Sequence, residues 1–93
     1  MISYEYNEKL VSIEEQKNGD DMDVWLRFPS ASAEAEKAVK RIRDEFEAND
    51  VMTDVLFYAH SDGYQWVVRN DFYADFLMQL FKHKLITSLR WTD

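Results

Sequence analysis

Residues 10–28 read Leu-Val-Ser-Ile-Glu-Glu-Gln-Lys-Asn-Gly-Asp-Asp-Met-Asp-Val-Trp-Leu-Arg-Phe, and their pattern decides the fold. Apolar and polar residues alternate on both sides of Asn18-Gly19, the period-two signature of strands buried on one face. Asn followed by Gly suits a type I′ turn, which needs positive φ at both central residues. With Asn18 and Gly19 at the centre, Glu15 faces Met22, Ile13 faces Val24, Val11 faces Leu26 and Lys9 faces Phe28. These residues share one largely apolar face. The other face sets Leu10, Ser12 and Glu14 against Arg27, Trp25 and Asp23, with Glu14 opposite Asp23 in a mild like-charge conflict. A slip of one residue would scramble the apolar face.

The same reading applies around Asp62-Gly63. There Ser61 faces Tyr64, Ala59 faces Trp66, Phe57 faces Val68 and Val55 faces Asn70. The reverse face pairs His60 with Gln65, Tyr58 with Val67 and Leu56 with Arg69. It is wetter than the first hairpin's buried face, yet more apolar than a free surface requires.

A helix follows each hairpin. Pro29 ends a strand, and Ser30 or Ser32 can cap a helix running to about Ala48. Ala35, Ala38, Val39, Ile42 and Phe46 recur at three- and four-residue spacing and form one buried stripe. Glu36–Lys40, Lys40–Asp44, Arg41–Glu45 and Arg43–Glu47 are opposite-charge pairs on its outer side, and Asn49 is the expected stop. The second helix is expected from about Asp71 to Lys84, capped by Asn70 or Asp71. Phe72, Tyr73, Phe76, Leu77, Leu80 and Phe81 form its stripe. Lys82, His83 and Lys84 lie near its end, where cations suit the helix dipole, so His83 reads as a cationic helix-end residue. Residues 86–91 close the chain as a strand, and residues 2–6 are a candidate extra strand.

The expected fold is therefore a single α+β domain over residues 1–93: a mainly antiparallel sheet with two helices packed on one face, in the order β-β-α-β-β-α-β. A composition of 46% hydrophobic and 15% aromatic residues supplies its core despite 31% charge. There is no cysteine, which excludes a disulfide scaffold, a cysteine zinc site and a thiol nucleophile. The net charge of −7 disfavours direct contact with nucleic acid or an anionic membrane. With no basic leader and no apolar run of membrane-spanning length, the expected location is the cytoplasm.

Chemical motifs are sparse. His60-Ser61-Asp62 holds the residue types of a hydrolase triad, but strand neighbours point to opposite faces and the turn explains Ser61 and Asp62. Asp20, Asp21 and Asp23 lack the spacing, internal Gly and distal Glu of a calcium loop. Neither His60 nor His83 has a partner at metal-ligand spacing, and both glycines are spent on turns. The expectation is no enzyme, no cofactor and no metal.

What remains is the reverse sheet face, which displays Trp25, Arg27, Leu56, Tyr58, His60, Val67 and Arg69. Trp, Tyr and Arg are the types enriched in interface hot spots. The leading expectation is a protein–protein interaction module, a homodimer through this face. Two alternatives stand beside it. The carboxylate surplus (Glu5, Glu8, Glu14, Glu15, Asp20, Asp21, Asp44, Glu45, Glu47, Asp50) suits an acidic inhibitor or immunity-like protein blocking a basic site on a nucleic-acid-acting partner. A small-ligand cleft would use Tyr58, His60 and Tyr64.

Overall fold

Two hairpins meet side by side to make the sheet. The computed structural model describes residues 2–29, 33–48 and 55–92. Strands β2 (Ser12–Asn18) and β3 (Asp21–Arg27) form the first hairpin; β4 (Val55–His60) and β5 (Gly63–Arg69) form the second. Their order in space is β2-β3-β5-β4, antiparallel throughout, so the two second strands lie at the centre and β2 and β4 at the edges. Helices α1 (Ala33–Ala48) and α2 (Tyr73–Lys82) follow the hairpins. Strands β1 (Ile2–Glu5) and β6 (Ser88–Trp91) pair with each other in a separate antiparallel ribbon.

Both hairpins differ in register from the sequence reading, by two residues each. Ile13 faces Leu26 and Glu15 faces Val24, which puts Gly19 and Asp20 at the centre of the first turn. Gly19 has φ 63° and Asp20 has no such left-handed value, matching a type II′ turn with Gly in its first central position. In the second hairpin Phe57 faces Trp66 and His60 faces Gly63, so Ser61 and Asp62 make the turn. Gly63 is a strand residue without left-handed φ. Its reason is contact: a β-carbon there would lie 2.7 Å from the Leu26 carbonyl oxygen and 2.9 Å from Arg27 Cγ. Glu14 now sits opposite Trp25 and Asp23 opposite Gln16, which removes the like-charge conflict.

A shift of two leaves every side chain on its expected face. Val11, Ile13, Val24, Leu26, Trp66 and Val68 are buried in one cluster with Ala38, Val39, Ile42 and Phe46 of α1 and Phe76, Leu77 and Leu80 of α2. Trp66 is the largest fully buried side chain, with its ring centroid 5.5 Å from Phe76 and 4.8 Å from Phe57. The α1 stripe is the expected one, and on its outer side Arg43 Nε meets Glu47 Oε1 at 3.0 Å. The expected caps Ser30 and Ser32 and the stop at Asn49 lie outside the described residues.

Helix α2 is shorter than its pattern suggested. Asn70–Phe72 form one 3₁₀ turn before it, and neither Asn70 nor Asp71 serves as a side-chain cap. The Asn70 amide instead donates to the Asp20 carbonyl at 2.9 Å, pinning this turn to the first hairpin. Phe81 is 44% exposed and so lies off the buried stripe. The helix ends in a Schellman motif: the Leu85 amide donates to the Leu80 carbonyl (2.9 Å) and the Lys84 amide to that of Phe81 (3.0 Å). Lys84 takes φ 65°, the left-handed conformation usually held there by Gly. Leu85 and Ile86 then turn inward and are buried.

The β1–β6 ribbon packs on the helix side of the sheet. Ile2, Tyr4 and Leu89 lie against the core, and the Thr87 amide extends the ribbon by donating to the Glu5 carbonyl at 2.7 Å. Tyr73 Oη donates to the carboxylate of Glu15, at 2.7 and 2.9 Å from its two oxygens. Tyr4 lies close to the same carboxylate. Burial, then the negative charge of Glu15, push the Tyr4 hydroxyl above the usual phenol range; burial, then the bond to Glu15 and its charge, do so for Tyr73.

Candidate functional site: the open face of the sheet

The helices and the ribbon pack on one side of the sheet, which leaves the other side to be described row by row. Across the four strands, Glu14, Trp25, Gln65 and Tyr58 form one row, and Gln16, Asp23, Val67 and Leu56 the next. Arg27, Gly63 and His60 lie in the row beyond Trp25, towards the Ser61-Asp62 turn, and Arg69 sits beside Asp21 at the opposite end. All seven residues singled out from the sequence fall on this face. Strand alternation alone dictates that grouping.

Cross-strand contacts order the middle of the face. The Trp25 indole stacks on the His60 imidazole, with ring centroids 4.6 Å apart and planes 25° from parallel. Arg27 lies against the same indole, its Cζ 4.8 Å from the ring centroid. The guanidinium also reaches Glu14 at 3.1 Å and Asp62 at 3.6 Å, so Arg27 links β2, β3 and the second turn. His60 Nε2 is 3.0 Å from Gln65 Oε1. In this geometry His60, Ser61 and Asp62 do not converge: the imidazole faces Trp25 and Gln65, Asp62 faces Arg27, and Ser61 turns the chain.

Beside this polar-aromatic group lies an apolar one. Leu56 is 53% exposed and Tyr58 47%, with Val67 half-buried between Leu56 and Asp23. The two edges of the sheet also differ. Strand β2 carries Glu14, Glu15 and Lys17, whereas β4 carries no Asp, Glu, Lys or Arg. Charges on an edge strand are the usual guard against pairing with another chain, and β4 lacks them.

Other candidate features are more scattered. His60 and Tyr64 line a recess of about 280 Å³ with Phe28, Glu36 and Asp62, while Tyr58, expected with them, does not. The carboxylates behind the inhibitor reading are distributed over the ribbon, the turn that follows β1, the first hairpin and α1; Asp50 lies outside the described residues. Among the described residues no group of three His, Asp or Glu side chains is placed to hold a metal ion, and no helix is long and apolar enough to cross a membrane. His83, expected to be a helix-end cation, is pushed below the usual imidazole pKa by partial burial, then by Lys82 and Arg41, with Glu45 opposing. Sequence reasoning missed the Glu15 clasp and the bond between Asn70 and Asp20, because both join residues far apart in the chain. Comparison with protein family models, curated proteins and solved structures yields no match.

Proposed function

We propose that the protein is a non-enzymatic interaction module that forms a homodimer through the open face of its sheet. The observation that carries this reading is the exposed apolar group of Leu56, Tyr58 and Val67, set beside Trp25 and bordered by Arg27, Glu14, Asp23 and Arg69. An apolar centre with a charged border is the anatomy of a contact surface. Trp25 and Arg27 are of hot-spot type, and His60 and Glu14 hold them in place before any partner arrives. The charges around the centre have both signs, so a two-fold axis can set Arg27 or Arg69 of one copy near carboxylates of the other. The patch also continues to the uncharged β4 edge.

Sedimentation velocity over a wide concentration range tests this. The unmodified chain is expected to show a concentration-dependent dimer. Leu56→Asp, which puts a charge at the centre of the patch without entering the core, is expected to shift it to monomer with unchanged circular dichroism. A chain that remains monomeric at the highest concentration overturns the proposal.

A further inference from the structure

We propose that the recess between α1 and the end of α2 binds a small multivalent oxyanion of the phosphate-monoester class. It has a volume of about 250 Å³ and is lined by Glu34, Lys37, Ala38 and Arg41 from α1 and by Lys82, His83 and Lys84 from the end of α2. In a chain with eleven Lys and Arg against eighteen Asp and Glu, four of the cations converge here with a single carboxylate. The recess therefore carries +3, which leaves −10 for the rest of a chain whose total is −7. That contrast selects the size of the ligand. A long polyanion would have to run across the negative remainder, whereas a compact dianion stays inside the positive recess. Screening over about 8–10 Å at physiological salt isolates the recess from the distant carboxylates.

A second observation comes from the backbone. Lys84 holds φ 65° at the residue closing the helix, where a β-carbon is unfavourable and Gly is the common choice. Strain of this kind persists where a side chain has another use. Here it sets Lys84 on the wall of the recess. His83 supplies a third. Its surroundings are Lys82 and Lys84 on its own segment and Lys37, Arg41, Glu34 and Glu45 on α1. Partial burial and the charges of Lys82 and Arg41 hold the imidazole neutral below its usual pKa. An oxyanion between those cations offsets them, so the bound dianion favours the protonated form of His83. The recess lies on the helix side of the sheet, and the inference does not depend on self-association.

The test is titration of the full chain with inorganic phosphate and with phenyl phosphate, chloride holding ionic strength constant. NMR follows the His83 imidazole and the Lys84 amide. Saturable shifts confined to the recess and a higher His83 pKa in phosphate are expected. Lys84→Gly separates structure from binding, because the two effects have opposite signs. Its Tm should rise while its phosphate affinity falls about threefold to fivefold, and Arg41→Gln should weaken binding by a similar factor. Shifts that do not saturate, or that chloride alone reproduces, overturn the proposal. So does unchanged affinity in both variants. Saturation with inorganic phosphate alone supports a free-anion site, and tighter binding of phenyl phosphate supports a monoester site.

Discussion

The two faces of the four-stranded sheet carry the same alternating code and have opposite fates. On the covered face, Val24, Leu26, Trp66 and Val68 are fully removed from solvent beneath α1 and α2. On the open face, Trp25 and Val67 are half-buried, and Leu56 and Tyr58 remain about half exposed. The covered face is held by area: apolar surface taken from water, at roughly 25 cal/mol per Å². The open face is held by local pairing, with stacked rings and exposed ion pairs that contribute about 1 kcal/mol or less each. The difference teaches that one strand pattern can build a core and a surface at once, and that stability and recognition can be altered separately.

The sharpest way to break the comparison is a pair of tryptophan variants. Trp66→Ala empties a fully buried site and is expected to cost about 3–5 kcal/mol. Trp25→Ala loses only its stacking with His60 and its contact with Arg27, about 1–2 kcal/mol. Urea unfolding of both measures the gap, and equal losses would show that the open face is part of the core. Gly63→Ala probes an open-face position with no room for a β-carbon. Its new methyl would meet the Leu26 carbonyl at 2.7 Å, so a loss of about 1–3 kcal/mol is expected in the same assay, well beyond an ordinary surface change. The smallest effect concerns the rim. Tyr73 and Tyr4 keep their protons in the folded chain at pH values where the unfolded chain loses them. Their folded pKa is raised, so stability is full below the unfolded value near 10 and falls as pH rises past it. Tyr73→Phe should flatten that decline in thermal melts between pH 9 and 11, and at pH 7 it should cost about 1 kcal/mol, the net value of the lost bond to Glu15.

Much of this architecture was legible, and the boundary of legibility has a physical form. Face assignment survives any even shift, because side chains alternate with period two. Val24, Trp66 and Val68 were therefore placed on the buried side and Trp25, Tyr58 and His60 on the open side, although both registers were off by two. The register itself depended on which turn the chain prefers. Asn18-Gly19 and Asp62-Gly63 both suggested type I′ centres; instead Gly19 opens a type II′ turn and Gly63 makes room for a neighbouring carbonyl. Strand order, the Glu15 clasp and the basic recess required knowing which distant segments meet. From the sequence Arg41 reads as one half of a solvated pair with Glu45, and only the fold sets the end of α2 beside it. The seven open-face residues were grouped correctly in space, and their role as an interface rests with the sedimentation experiment.

The β1–β6 ribbon carries a kinetic consequence. Each hairpin joins strands two residues apart, but the ribbon pairs Ile2 with Trp91 and Glu5 with Ser88, across nearly the whole length of the chain. Closing so long a loop loses entropy before any contact is gained, whereas the hairpins close almost locally. The ribbon is thus expected to dock late, onto hairpins and helices already assembled, and to open first. In native-state hydrogen exchange its amides should report a low free energy of opening, while those of β3 and β5 report that of the whole molecule.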